Sequence, residues 1–325
     1  MTEESIDNET LTQNFIDHFL NPRNIGELSD ADGYAKVGDP SCGDFIKVWI
    51  KVKDEVITDY KYKVFGCGGA IATTSVASEL AIGKHLKDAI KITDDDVIQQ
   101  LGGIPENKEH CSLLGVNGLR AAIADFLVKD NHKNYTARIE KYRKAGYDIP
   151  LHREMLVKYL NGIADDAKIL DVGTGKGHLA LAIARAGRSN TSLDNSKDEI
   201  YYARLNAIYF QLDEKIEFVE SDARKLIFPD NSFDAVVSVD LIHHLIQPEL
   251  VLSEMVRICS QNGIIIISDI NDKGQKILQH IHQGEGKNHP RIGWTMDEVK
   301  QWFDQKGWIT KVVDLPCETA LVVGN

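Results

Sequence analysis

The sequence of 325 residues has few cysteines and prolines and lacks any long apolar run. Its five cysteines, an odd number spread over a long chain, argue against a disulfide framework and favour metal binding or catalysis. No stretch of about 18 apolar residues occurs, and the polar residues 1–14 contain no apolar segment of signal-peptide length. We therefore expect a cytoplasmic protein that does not span a membrane.

Positive charge is also scarce, because 37 Lys and Arg face 49 Asp and Glu, a net charge of −12. Phosphate contacts need clustered cations, so this balance argues against nucleic-acid binding. The exception is the basic stretch 129–150, which lies between two acidic blocks and indicates a boundary. We predict domains over residues 1–128 and 151–325, joined by a linker helix over 129–150.

The first half combines helical and strand patterns. Residues 45–53 and 56–65 alternate between apolar and polar side chains around the turn Lys53-Asp54-Glu55, which predicts an antiparallel hairpin. Helices are predicted over 11–20, 70–82 and 112–128, and after the capping box Thr93–Asp96. The pattern predicts an α+β domain with a small antiparallel sheet.

Three cysteines of this half stand where metal ligands are often found. Cys42 precedes a predicted strand, whereas Cys67 and Cys111 lie near predicted helix N-termini, where the macrodipole favours a thiolate. His110 is adjacent to Cys111. The spacing Cys-x24-Cys-x42-His-Cys differs from that of zinc fingers, so spacing alone leaves buried apolar cysteines equally open.

Four segments of this half share their order and spacing with a known family: Asn21-Pro22-Arg23-Asn24-Ile25-Gly26, Cys42-Gly43-Asp44, Phe65-Gly66-Cys67-Gly68-Gly69-Ala70-Ile71-Ala72 and His110-Cys111-Ser112. They closely resemble the U-type iron–sulfur cluster assembly scaffolds of the IscU and NifU N-terminal type. The resemblance implies a transient cluster of the [2Fe-2S] type on Cys42, Cys67 and Cys111, with His110 and Asp44 as alternative ligands. It also implies a cysteine desulfurase as sulfur donor and apo iron–sulfur proteins as acceptors.

One segment departs from this resemblance. Bacterial members present a Leu-Pro-Pro-Val-Lys-like segment to an Hsp70-type chaperone, whereas residues 103–108 are Gly-Ile-Pro-Glu-Asn-Lys. The departure weakens the case for such a chaperone as a partner. A permanent zinc site at the same ligands is the alternative to a transient cluster.

In the second half, short apolar strands alternate with helices, which predicts a doubly wound, Rossmann-like parallel sheet with its ligand at the carboxyl ends of the strands. Strands are predicted at 169–172, before Asp194, at 216–219, 235–240, 264–268, 308–314 and 318–324. The first leads into Gly173-Thr174-Gly175-Lys176-Gly177. This turn fits neither a nicotinamide dinucleotide nor a nucleoside triphosphate, whose motifs differ.

Several features together resemble a class I S-adenosylmethionine-dependent methyltransferase: the turn 173–177, Asp194, Asp222 and the segment 228–240. The resemblance implies that the backbone of Gly173, Gly175 and Gly177 lies against the methionine part of the cofactor. It further implies that Asp194 accepts the ribose hydroxyls and Asp222 meets the adenine amine. Asp171 and Asp240 complete the predicted cofactor-binding residues.

Histidines follow at the expected acceptor end. His243 and His244 come shortly after Asp240, where such sheets place substrate residues, so they are catalytic candidates, against the alternative of an ordinary helix start. Residues 271–294 hold His280, His282 and His289. We interpret this segment as a polar lid that covers the acceptor, in preference to a metal site. The methyl acceptor is unknown.

The leading interpretation is therefore a bifunctional fusion of a cluster scaffold and a methyltransferase. Two alternatives differ in class. In one, the first domain holds a fixed metal and only docks or regulates the methyltransferase. In the other, the second domain binds S-adenosylmethionine without catalysis and reports methyl status to cluster assembly.

Overall fold

The computed structural model describes residues 11–38, 43–104, 109–286 and 290–324, and for residues 109–113 the backbone alone. The chain divides into two compact units, Met1–Asp130 and Asn131–Asn325. Within the described ranges, no helix combines the length and the apolar character needed to cross a bilayer.

A three-stranded antiparallel sheet forms the centre of the first unit. In the order β1-β2-β3, its strands are Gly33–Gly38, Phe45–Lys53 and Val56–Phe65. The prediction of a hairpin is confirmed, with Ile46, Val48 and Ile50 in the core. Asp54 and Glu55 form its turn with φ of 50° and 59°, the left-handed conformation that suits the twist of a two-residue hairpin. Strand β1 was not predicted.

The helices that begin in the first unit are α1 Gln13–Leu20, α2 Gly68–Ala81, α3 Leu86–Ala89, α4 Asp94–Leu101 and α5 Glu109–Lys144. Their starts follow from local capping chemistry. The Thr12 hydroxyl accepts from the Phe15 N–H, and Thr93 forms the predicted capping box with Asp96. Helix α2 packs on β3, and its small buried residues Ala70 and Ala77 permit the close approach.

Helix α5 is one helix where the sequence predicted two, one over 112–128 and a linker helix over 129–150. It continues through the basic stretch because Tyr135, Ile139 and Tyr142, at helical spacing, are buried while the charged residues between them are exposed. Helix α6, Ile149–Val157, follows after the N-cap Asp148, with Pro150 in its first turn.

A seven-stranded sheet runs through the second unit in the order β6-β5-β4-β7-β8-β10-β9. The strands are β4 Ile169–Val172, β5 Asn190–Asp194, β6 Ile216–Glu220, β7 Phe233–Val239, β8 Cys259–Ile270, β9 Ile309–Asp314 and β10 Glu318–Gly324. Neighbours from β6 to β8 are parallel, and β10 is antiparallel to both β8 and β9. This is the predicted Rossmann-like sheet, with one antiparallel strand near its edge.

Helices connect these strands: α7 His178–Arg185, α8 Lys197–Tyr209, α9 Pro248–Ile258, α10 Asp272–Gln283 and α11 Met296–Asp304. Ser196 caps α8, and Thr295 with Glu298 forms a capping box at the start of α11. Strand order reverses at β4, which has β5 on one side and β7 on the other. In an open α/β sheet, the carboxyl ends of the strands at such a reversal form the ligand crevice.

A buried group of polar side chains joins α6 to β10. The Glu318 carboxylate, fully buried, accepts hydrogen bonds from four side chains: Tyr147 at 2.5 Å, His152 at 3.1 Å, Arg153 at 2.5 Å and Ser268 at 2.6 Å. Burial by itself would raise the pKa of Glu318, but the Arg153 charge and these hydrogen bonds hold that pKa well below its usual range. The carboxylate therefore stays ionised inside the fold.

We predict that Glu318→Gln lowers the free energy of unfolding of the second unit by about 3–5 kcal/mol, because Arg153 is left buried with less compensating charge. The control Asp230→Asn, which removes an exposed partner of Arg257, should cost less than about 1 kcal/mol. Urea unfolding of the full chain, with hydrogen exchange to identify the unit that unfolds, measures both. Equal losses in the two variants would contradict the prediction.

The ion pair between Arg153 and Glu318 also predicts that the free energy of unfolding depends on pH. Because the pKa of Glu318 is lower in the folded chain, its stabilisation is fully present above the unfolded value of about 4.3 and disappears as pH falls toward the folded value. The difference between the wild type and Glu318→Gln should therefore narrow in acid.

Candidate functional sites

The first candidate site lies where β3 meets α2. Cys67 is the N-cap of α2 and is exposed, and its backbone N–H donates to Asp44 Oδ2 at 3.1 Å. Gly66 permits this approach, since a Cβ there would lie 2.7 Å from the same oxygen. A predicted thiolate ligand and a predicted carboxylate ligand are thus adjacent at a helix N-terminus, where negative charge is stabilised.

The side chains of the remaining predicted ligands lie outside the described part of the chain. Cys42 lies outside the described residues, as do the side chains of His110 and Cys111, whose backbone forms the first turn of α5. Among the side chains that are described, no three His, Cys, Asp or Glu are grouped as a metal site. The full ligand set therefore stays a prediction.

The second candidate site begins at the glycine turn between β4 and α7. The N–H groups of Gly173 and Thr174 both donate to the Leu193 carbonyl at 2.9 Å. Gly173 has a φ of +80°, and a Cβ there would contact the Leu241 side chain at 2.9 Å. Glycine is therefore needed at this position both for the backbone conformation and for the close packing.

Asp194 ends β5 beside this turn. Its Oδ2 accepts the Gly175 N–H at 2.9 Å, and its Oδ1 accepts the Ser196 N–H at 3.0 Å. These two bonds fix the carboxylate, and each oxygen still has a second lone pair for a ligand hydroxyl.

Two cavities adjoin the turn and share Gly173, Asp194, Leu241 and His244. The smaller, of about 280 Å³, is also lined by Asp222, and the larger, of about 400 Å³, by Asp171. Each is near the size range of small-molecule sites, and their position at the carboxyl ends of β4, β5 and β7 matches the expected ligand crevice.

In the smaller cavity, Asp222 forms hydrogen bonds to Arg224 through both carboxylate oxygens, at 2.7 to 3.1 Å. These bonds lower the pKa of Asp222, so the carboxylate is charged and can accept a hydrogen bond. In the larger cavity, burial raises the pKa of Asp171 to about 7, and the Ser192 hydroxyl donates to Asp171 at 3.3 Å.

Asp240 also lines the larger cavity and is tied to the buried group around Glu318. Its Oδ2 accepts the Tyr147 hydroxyl at 2.9 Å and pairs with Arg153. Burial, followed by the Glu318 charge, raises the pKa of Asp240 to about 6. The φ of +55° at Asp240 is unusual for a residue other than glycine, and such conformations cluster at functional sites.

Both predicted catalytic histidines line the larger cavity. His243 is buried, and its Nδ1 bonds to Asp269 Oδ1 at the end of β8. The rings of His243 and His244 have centroids 3.9 Å apart. Burial is the main cause that lowers the pKa of His244 to about 4.

The structure thus brings most of the predicted cofactor residues together. Those lining the larger cavity are Asp171, Gly173, Gly175, Asp194 and Asp240, and Asp222 lines the smaller one. Gly177 lines neither cavity, and a Cβ there would lie 3.1 Å from Ala203 of α8. In the segment 271–294, His282 of α10 lines the larger cavity and His280 is exposed, whereas His289 lies outside the described residues.

The sequence did not predict several residues of the larger cavity or its surroundings, among them Arg138, Tyr142, Tyr147 and Asp269. Arg138 donates to the Tyr142 hydroxyl at 2.8 Å, and that hydroxyl is 3.2 Å from His282 Nε2. The helical spacing of Tyr135, Ile139 and Tyr142 was the one available signal, since it indicated a buried face within the basic stretch.

Comparisons with known proteins divide the chain in the same way. The NifU-like N terminal domain family matches residues 10–133, and a methyltransferase domain family matches residues 170–267. The iron-sulfur cluster assembly scaffold protein IscU 1 of Archaeoglobus fulgidus is 47% identical over 138 residues, 42% of this chain and 86% of the relative. The IscU scaffold protein of Aquifex aeolicus is 44% identical over 126 residues, 38% of this chain and 80% of the relative.

Two solved structures are among those similar to part of this chain. A SAM-dependent methyltransferase from Aquifex aeolicus is 20% identical with a TM-score of 0.44, covering 57% of this chain and 96% of its own. A putative S-adenosyl-L-methionine-dependent methyltransferase from Methanococcus maripaludis is 18% identical with a TM-score of 0.47, covering 61% and 93%.

We predict that Gly173→Ala weakens S-adenosylmethionine binding by about tenfold or more, because the added Cβ pushes Leu241 into the cavities that it lines. Gly187→Ala is the matched control, since Gly187 has a φ of +91° but no atom within 4 Å of its Cβ position. Isothermal titration calorimetry on both variants tests this, and equal affinity would contradict the assigned role of the turn.

Proposed function

We propose that this chain, which belongs to the family of IscU-type iron–sulfur cluster assembly scaffolds, combines cluster assembly with methyl transfer. The reason is that it also carries a methyltransferase domain. The first unit assembles a cluster and passes it to apo-proteins. The second unit transfers a methyl group from S-adenosylmethionine to an acceptor. The observation that carries the enzymatic half is the pair of cavities around the glycine turn and Asp194.

For the first unit, we propose Cys42, Cys67 and Cys111 as the thiolates that hold the cluster, with Asp44 and His110 as further ligands. The contact between Asp44 and the Cys67 backbone supports a carboxylate beside an exposed thiol. Three thiolates and a harder ligand hold a cluster less firmly than four thiolates, so the cargo can leave. The cluster is a [2Fe-2S] product, with sulfur from a cysteine desulfurase and delivery to apo iron–sulfur proteins.

For the second unit, the chemistry of the lining residues fits S-adenosylmethionine. The adenosine part occupies the smaller cavity, where Asp194 accepts the ribose hydroxyls and Asp222 accepts from the adenine amine. The methionine part lies in the larger cavity against Gly173 and Gly175. Bound there, the sulfonium would supply an activated methyl group, and the chain itself aligns the acceptor and excludes water.

The methionine carboxylate needs a cation, and Arg138 is the candidate. Of the cations that line the larger cavity, Lys176 pairs with Glu199 at 3.1 Å, and Arg153 pairs with Glu318 and Asp240. Arg138 donates to Tyr142 but pairs with no carboxylate in the part of the chain that the structure describes. We assign the methionine carboxylate to Arg138, where it forms a charge-assisted hydrogen bond.

The two activities should be separable by mutation. Cys67→Ala should abolish cluster assembly with cysteine desulfurase and leave S-adenosylmethionine affinity unchanged, whereas Asp194→Ala should do the reverse, because independent domains behave additively. Cluster assembly is measured by absorbance and transfer to an apo-ferredoxin, and cofactor affinity by calorimetry. If the wild type bound its metal but transferred no cluster to the apo-ferredoxin, the scaffold proposal would be wrong and a fixed metal site would replace it.

Arg138→Gln should weaken S-adenosylmethionine binding by about tenfold or more through loss of a charge-assisted bond. It should leave binding of 5′-methylthioadenosine unchanged, because that compound lacks the carboxylate. Lys141→Gln, on the same helix and in a surface pair with Glu285, is the control. A parallel loss for both ligands would assign Arg138 to the general shape of the site instead.

A further inference from the structure

His243 is held in a fixed orientation at the larger cavity. It lies in the short turn Ile242–His244 that follows β7, and it is buried. Its Nδ1 bonds to Asp269 Oδ1, and its backbone N–H donates to Asp269 Oδ2 at 2.8 Å. The His243 carbonyl accepts the N–H groups of Ile292 and Gly293 at 2.9 Å. Both its ring and its backbone are therefore anchored.

The hydrogen bonds of Asp269 determine the tautomer of this ring. An ionised carboxylate only accepts hydrogen bonds, and Asp269 Oδ1 also accepts the Ile270 N–H at 2.7 Å. Nδ1 must then carry the hydrogen, which leaves the basic lone pair of the imidazole on Nε2. A buried aspartate orients a catalytic histidine in the same way in serine hydrolases.

Such a base matters for only some methyl acceptors. A thiolate or a tertiary amine already presents a lone pair to the sulfonium. A hydroxyl or an N–H group of low acidity must lose a proton as the new bond forms, and inside a cavity that proton needs a receiving side chain. Burial lowers the pKa of His244 to about 4, which makes this second ring a weak base.

We propose that His243, oriented by Asp269, is the general base for a small protic acceptor, a compound methylated on a hydroxyl oxygen or an N–H nitrogen. This inference rests on the proposed methyltransferase function. The acceptor lone pair forms the bond to the methyl carbon while the carbon–sulfur bond breaks, and that bond's electron pair stays on sulfur as a thioether. The acceptor proton passes to His243 Nε2 and then to solvent.

The cavity favours a small acceptor over a macromolecule. The acceptor shares about 400 Å³ with the methionine part of the cofactor. Part of the lining comes from Tyr142, Tyr147, Leu278 and His282. Two tyrosines and a leucine offer apolar contact to a compact molecule.

The test uses the full-length protein, methyl-labelled S-adenosylmethionine and a host extract separated into small-molecule and protein fractions. The variants are His243→Ala and Asp269→Asn, with His280→Gln, an exposed change on α10, as the control. We expect label in small molecules bearing a new O-methyl or N-methyl group. His243→Ala should lower the rate by about 10²–10⁴-fold without changing S-adenosylmethionine affinity, and added imidazole should restore much of it.

Asp269→Asn should also lower the rate, because the amide can donate to Nδ1 and favour the wrong tautomer, and imidazole should not restore it. Loss of cofactor binding would show that a variant fails to fold. In that case the wild type still tests the inference, because a rate that includes proton transfer to His243 should be lower in D₂O than in H₂O.

Three results would overturn the inference: rates unchanged in His243→Ala, a methylated sulfur or a quaternary amine as product, or label in proteins alone. Absence of a D₂O effect, where the variants do not fold, would also overturn it. A wild type that binds the cofactor but labels nothing would instead contradict the proposed methyltransferase function itself.

Discussion

The ion pair between Arg153 and Glu318 is the interaction on which the second unit depends most. Two charges are removed from water, and their desolvation is offset only because Tyr147, His152 and Ser268 complete the hydrogen bonds of the carboxylate. The pair joins the last strand of the chain to α6, and through Asp240 it reaches the carboxyl end of β7. One wall of the larger cavity is therefore built from residues that also stabilise the fold.

The same arrangement explains why Asp240 differs from the other predicted cofactor residues. Asp194 and Asp222 are held by the backbone or by a half-exposed arginine, so their oxygens remain available to a ligand. Asp240 already satisfies one oxygen within the buried network. We therefore propose that Asp240 acts on a ligand through the position of Tyr147 and Arg153 as well as through its own carboxylate.

Sequence patterns were sufficient for the elements whose signal is local. The alternation in β2 and β3, the capping box at Thr93 and the glycine turn after β4 are each determined by a few consecutive residues. Strand β1, Gly33–Gly38, was missed because two glycines in six residues leave little alternation, and it is stabilised by pairing with β2. Helix α5 was divided at a change in composition that affects only its exposed face.

The outline of the candidate site was predictable because its motifs are local. The prediction was incomplete because some of its residues find their partners only through tertiary packing. Asp194 and Asp222 each follow a recognisable strand, so their place at the crevice follows from the order of the motifs. Asp269 and Glu318 have no such signal. Their partners, His243 and Arg153, lie 26 and 165 residues away, so the chemical meaning of each carboxylate arises only from tertiary packing.

The two proposed chemistries place opposite demands on solvent. A cluster that is to be handed on must be held by accessible ligands, and the exposed Cys67 beside Asp44 meets that demand. Methyl transfer proceeds best where water is excluded, and its candidate base is buried at 1% exposure. One chain can satisfy both because every lining residue of the two cavities belongs to the second unit, whereas Asp44 and Cys67 belong to the first. Each site can then be tuned for its own solvent environment without compromise in the other.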